Sequence, residues 1–160
     1  MTTEAILKVV VCGIGNEYRS DDGAGVIVAR EVANVAPEIT FVGPFGEPLD
    51  LLGAWDDADL AVIVDATRSG MAPGTLQILD VSNADLSVGD SVGPARSSTH
   101  GLGVIDTLRL ARAVGSDPRR VVIIGIEGQS FQPGLGLCAP VAHSVNEAVA
   151  LVRGLVAELA

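Results

Sequence analysis

Apolar residues along the chain fall into two alternating kinds of segment. Short, nearly unbroken aliphatic runs read as strands buried on both faces, and longer stretches with apolar residues every three or four positions read as helices packed by one side. Residues 6–11 predict a first strand, broken by Gly13 and Gly15, and residues 23–35 predict a helix from the spacing of Val26, Val28, Ala29, Val32 and Ala33. Residues 39–42 predict a second strand, closed by Gly43-Pro44-Phe45-Gly46; a short helix over 48–55 then leads into the apolar run 60–64, which ends in Asp65. Pro73-Gly74 turns the chain into 75–81, whose alternation suits a half-exposed edge strand. Residues 82–98 are rich in Ser, Gly, Asp and Pro without periodicity and predict a loop, long enough in a compact domain to suggest a functional one. Beyond it the pattern predicts a helix over 100–114 stopped by Gly115, a buried strand over 121–126, a Gly/Pro loop over 127–137 and a closing helix over 140–159.

Strands alternating with helices, with no internal repeat and no linker, predict one domain over 1–160. The expected fold is a three-layer α/β/α sandwich around a twisted, mostly parallel sheet of about five strands. Composition sharpens this picture: 48% hydrophobic residues with only 3% aromatic ones describe an aliphatic core. A net charge of −10, with no local cluster of Lys or Arg, speaks against binding a nucleic-acid backbone and suits cations or basic partners. Cys12 and Cys138 are too few for a disulfide framework and lack zinc-knuckle spacing, which favours a reducing, cytoplasmic setting. The opening segment MTTEAILKVVVCGIG has no basic leader region and runs straight into the first strand, and no apolar run reaches membrane-spanning length. The expectation is a soluble monomer that meets neither membrane nor nucleic acid.

Candidate chemistry gathers where the strands end. In open parallel sheets ligands bind at the C-terminal edge of the strands. Asp22 follows the first strand, Asp65 caps the third, and His100 opens the helix after the long loop. Two carboxylates and one imidazole can form a first-row metal site with open positions, or polarise water and shuttle a proton. Each also has a plainer reading: Asp22 as an acid at a helix N-terminus, His100 as a cap. Asp65 at the end of an apolar strand resists a plain reading, because a buried carboxylate is costly unless paired. Asp21 and Arg19 read as a solvated loop pair, Asn16 as a turn residue that can also orient a ligand, and His143 as a surface or boundary residue. Cys12 reads as buried and inert, and Cys138 as a cap beside a helix N-terminus, a position that lowers a thiol pKa. Glu127, Gln129 and Ser130 follow the last strand and are candidates for the same cleft. A nucleotide-binding module is disfavoured, since Gly13-x-Gly15 lacks the rest of either phosphate-binding signature and is followed by two acids.

These residues are familiar together. GIGNEYRSDDGAG at 13–25, VIVDA at 62–66, PGTL at 73–76 and SSTHGLG at 97–103 resemble the nickel–iron hydrogenase maturation endopeptidases, in the family's order and over nearly the whole chain. The element Gly-x-Gly-Asn-x4-Asp-Asp/Glu-Gly, with a downstream strand-end Asp and a Ser-x-His, carries the likeness. The resemblance implies a twisted mixed sheet between helix layers. It implies an aspartyl-type endopeptidase that removes a C-terminal extension from the hydrogenase large-subunit precursor after nickel insertion, with nickel supplied by that precursor. Its metal-contacting and catalytic positions map onto Asp22, Asp65 and His100, and many members carry Glu where Asp22 stands. Substrate contact is assigned to Asn16 and to Gly43, Phe45 and Gly46, whose turn departs from the family's Gly/Gly/Thr; Cys138 stands where Ser or Thr is usual. No Ser/His/Asp or Cys/His arrangement is legible, which disfavours an acyl-enzyme. Metal-positioned water and a carboxylate general base both remain as mechanisms. A non-catalytic metal- or precursor-binding chaperone, and a metallohydrolase of small amides, remain as alternative functions.

Overall fold

Among the described residues, five strands form one mixed sheet in the order β2-β1-β3-β5-β4. The computed structural model describes residues 6–45, 48–83, 85–86 and 101–159. Along the chain the elements are β1 (Val9–Ile14), α1 (Ala24–Val35), β2 (Thr40–Phe45), α2 (Leu51–Ala54), β3 (Leu60–Thr67), β4 (Leu76–Asp80), α3 (Gly101–Val114), β5 (Val121–Glu127) and α4 (Ala139–Ala157). The strands β2, β1, β3 and β5 pair in parallel, and β4 closes one edge antiparallel to β5. β1, β3 and β5 are buried along their whole length, which is why their sequences are aliphatic on both faces. β4 alternates between half-buried and exposed positions, as an edge strand does.

The pleat sorts the core into two layers. Val9 and Val11 of β1, Leu60, Val62 and Val64 of β3, and Val122, Ile124 and Ile126 of β5 pack against α1 and α4. The intervening residues Val10, Cys12, Ile14, Ala61, Ile63, Val121 and Ile123 pack against α2 and α3 through Leu51, Trp55, Val104, Ile105, Leu108 and Ala111. Each fully buried Val, Leu or Ile contributes about 1.5–3 kcal/mol, so aliphatic burial alone explains why so few aromatics suffice. Among the described residues no helix is long and apolar enough to cross a membrane.

Strand ends differ from the sequence expectation, and pairing explains the difference. Gly13 does not break β1. It stays in the ladder opposite Val64, and its missing side chain leaves room for α1, since a Cβ there would lie 2.6 Å from Val26 Cα. β2 runs on through Gly43 and Pro44 to Phe45. One extra residue enters this edge strand between the Cys12↔Val42 and Ile14↔Phe45 pairs, and Gly43 sits in that bulge with φ +132°. β3 continues past Asp65, which pairs with Gly125, to Thr67, which pairs with Glu127. The predicted loop over 82–98 lies mostly outside the described residues.

Candidate functional site

The C-terminal end of β1 feeds a tight polar turn. Gly15 leaves the strand with φ +130°, a conformation side chains resist, and a Cβ there would sit 2.0 Å from Asp22 O. Asn16 then organises the turn: its Oδ1 accepts the Tyr18 N–H at 2.9 Å, and its own N–H donates to Asp22 Oδ2 at 3.0 Å. Ser20–Gly23 forms a single 3-10 turn that hands over to α1. Asp22 thereby ends up buried, tucked beneath the exit of β1.

Asp22 is delivered to the strand that carries Asp65. Three residues after Asp22, Gly25 lies so close to β3 that a Cβ would be 2.1 Å from Val64 O and 3.0 Å from Asp65 N. Any side chain at Gly25 would push the turn off the sheet. Asp65 is buried, with Oδ1 accepting the Ala66 N–H at 2.8 Å. Alternation along β3 places it on the face of Ala61 and Ile63, toward α2 and α3, and its β5 neighbour in register is Gly125, which has no side chain to crowd it. The two carboxylates therefore come to one edge of the sheet, as topology predicts. His100 lies outside the described residues; α3 begins at the next position. Among the described residues no three His, Cys, Asp or Glu side chains are grouped to hold a metal ion.

Asp21 is not a solvated partner of Arg19. It is fully buried, and its carboxylate accepts the N–H groups of Gln129 (2.8 Å), Ser130 (2.9 Å) and Cys138 (2.9 Å) and the Cys138 thiol (3.1 Å). Burial alone would raise its pKa, but these donors outweigh it and hold the carboxyl below the usual range. The surrounding backbone is laced to the same loop: Ser20 N–H to Gly134 O and Gly134 N–H to Tyr18 O, both 2.8 Å, and Asp21 N–H to Ser130 O at 2.9 Å. Adjacent acids in one turn therefore divide their work. Nothing in the local sequence says which of them faces the loop, since the partners lie more than a hundred residues away.

Glu127 makes a second clasp. Its buried carboxylate accepts the Thr67 hydroxyl (2.7 Å), the Ser69 N–H (2.8 Å) and hydroxyl (2.8 Å), and the Gly70 N–H (3.0 Å). Burial raises its pKa, and these donors more than offset the effect. Neither thiol is shifted toward its thiolate. Burial pushes Cys12 up to about 12. Cys138 does occupy the cap position before α4, but burial, and after it the neighbouring Asp21 carboxylate, raises its pKa rather than lowering it. His143 is exposed on α4. Of the residues assigned to substrate contact, Asn16 is exposed with its carbonyl oxygen engaged in the turn, Gly43 shapes the β2 bulge and Phe45 ends β2 opposite Ile14. Gly46 lies outside the described residues.

Comparison with known proteins places this architecture. A family model described as "Hydrogenase maturation protease" matches residues 46–154. The chain is 28% identical over 156 residues to the hydrogenase 2 maturation protease of Escherichia coli K12, covering 95% of this chain and 92% of that protein. The structure of the Escherichia coli hydrogenase maturating endopeptidase HybD is similar with a TM-score of 0.76 and 25% identity, over 95% of this chain and 93% of that one. The HybD maturation protease of Thermococcus kodakarensis shares the fold with a TM-score of 0.73 at 23% identity, over 93% of this chain and 99% of that one.

Proposed function

The chain belongs to the hydrogenase maturation protease family, and we propose that its reaction is removal of a C-terminal extension from the large-subunit precursor of a nickel–iron hydrogenase after nickel insertion. The observation that carries this reading is the seating of the Asp22 turn against Asp65 at the C-terminal edge of the sheet, through the side-chain-free contact of Gly25 with β3. In our reading Asp22, Asp65 and His100 together contact the nickel that the precursor already holds, and so fix the tail for cleavage. A thiol nucleophile is disfavoured by the raised pKa of both cysteines. Water is then the attacking group: it adds to the scissile carbonyl carbon, the C–N bond breaks, and a carboxylate of the pair takes the water's proton and passes one to the departing amine. That assignment makes the protein an aspartyl-type endopeptidase. The net charge of −10 supports a protein substrate bearing a cation rather than a nucleic acid, and we place the reaction in the cytoplasm, carried out by a monomer acting as one domain over 1–160.

Two carboxylates and an imidazole bind nickel modestly, whereas thiolates hold it firmly. A processing enzyme with a weak half-site cleaves only when the substrate brings the other half. Matched nickel-free and nickel-loaded precursors incubated with the protein, followed by mass measurement of their C-termini, test this. Trimming of the loaded form alone is expected, from a purified protein holding substoichiometric nickel. Equal trimming of both forms would overturn the nickel gate, and trimming of neither would overturn the endopeptidase assignment.

A further inference from the structure

Arg68 is the first residue beyond β3 and stands three positions past Asp65. The backbone on both sides of it is pinned. Thr67, Ser69 and Gly70 all donate to the Glu127 carboxylate, and the Gly128 N–H donates to Thr67 O at 3.1 Å. Its side chain is pinned as well: the guanidinium carbon lies 4.1 Å from the centre of the Phe131 ring. That ring is itself buried and packs on Gly128, where a Cβ would fall 2.6 Å from Phe131 Cζ and 3.1 Å from Asp21 Cβ. A continuous path of contacts thus links Arg68 to the acidic turn.

This arginine is exposed, and among the described residues it forms no ion pair and no hydrogen bond. Arg30, Arg109, Arg112, Arg119 and Arg120 each pair with a carboxylate of the chain, whereas Arg19 and Arg153, like Arg68, show no ion pair among the described residues; Arg68 differs from those two in lying over an aromatic ring. With its guanidinium carbon over the Phe131 ring and its side chain exposed, Arg68 keeps N–H donors that no described residue of the chain engages. A planar fork that already rests on a ring loses less entropy on binding than a free one and matches a carboxylate bidentately.

We propose that Arg68 is a substrate-binding residue of this site, and that its guanidinium edge receives a carboxylate of the protein substrate while Phe131 serves as its platform. This rests on the endopeptidase reading above. The site then recognises two unlike charges on one substrate, a metal cation at the Asp22–Asp65 edge and an anionic group beside it. A peptide offering cations alone would be repelled at Arg68.

The test uses the full chain and the nickel-loaded precursor. Cleavage by the wild-type protein checks the endopeptidase reading by itself. For the inference, Arg68→Gln is expected to raise KM by roughly tenfold while kcat falls less than threefold, with the unfolding temperature unchanged because the residue is exposed. Arg68→Lys restores only part of the loss, since an ammonium lacks the fork. The wild-type KM rises with added salt, and that of Arg68→Gln does so much less. Phe131→Leu, which keeps the charge but removes the platform, shows an intermediate KM. An unchanged KM in Arg68→Gln, or a loss confined to kcat, overturns the proposal. Should the wild type fail to cleave, the same comparison made on precursor binding decides it, and an equal Kd for wild type and Arg68→Gln overturns it.

Discussion

Among the described residues, the C-terminal edge of the sheet holds four buried carboxylates in two regions. At the β5 end, Asp21 and Glu127 each collect four donors from loops and so tie those loops down. At the β1–β3 end, Asp22 and Asp65 are anchored by backbone N–H groups of Asn16 and Ala66 and brought together by glycine contacts. The same chemical group thus serves as a fastener in one region and is presented at the strand ends in the other. Asp21 and Glu127 owe their lowered pKa values to the donors that ring them, and that ring marks a structural task.

The largest expected effect tests the presented pair. Asp22→Asn and Asp65→Asn preserve shape and a carbonyl acceptor for the anchoring N–H. Each is expected to slow precursor cleavage at least about a hundredfold while shifting the unfolding temperature by no more than about 3 °C. A melting loss large enough to explain the lost cleavage would break the comparison by making these acids fasteners too.

The next effect tests the fasteners. Asp21→Ala strips the acceptor from three N–H groups, and each unsatisfied donor costs about 1–3 kcal/mol. A loss of about 3 kcal/mol or more is expected, lowering the melting midpoint by about 6–12 °C for a domain of this size. Molecules that remain folded at low temperature should keep far more activity than the Asp22→Asn variant. Equal inactivation of the two at a temperature where both are folded would erase the distinction.

The smallest effect is the pH dependence. Asp21 and Glu127 have carboxyls lowered by folding, so the native state favours their ionised forms. Their stabilisation is complete above the ordinary carboxylate range and is lost as pH falls below about 4, through the lowered native values. Melting midpoints between pH 3 and 7 should therefore drop more steeply for the wild type than for an Asp21→Asn/Glu127→Gln double variant. Parallel curves would show that other groups govern acid unfolding.

The layers were legible because aliphatic runs report burial directly, and β1, β3 and β5 have little but Val, Ile, Leu and Ala on their inner faces. Strand ends were not, because pairing partners set them: Gly13 stays in the ladder and Phe45 lies past a bulge that no apolar pattern marks. The edge shared by Asp22 and Asp65 followed from topology alone. The misreading of Asp21 has a different source. Its acceptor role depends on donors 108, 109 and 117 positions away, and solvation cannot be told from burial in a stretch as polar as 16–22. Arg68 carried no signal of its own; only Phe131 beneath it and Glu127 behind it give it a fixed place.

The clasp on Asp21 also sets a schedule. Every donor to that carboxylate comes from residues 129–138, so a nascent chain that has emerged only as far as β4 or α3 lacks all of them. Closing a loop of more than a hundred residues is entropically slow compared with forming α1 or its contact with β1. The acidic turn is therefore among the last parts of the protein to set. During synthesis the Asp21 clasp closes only once Cys138 has emerged, when β1, α1 and β3 are already available to pack on one another.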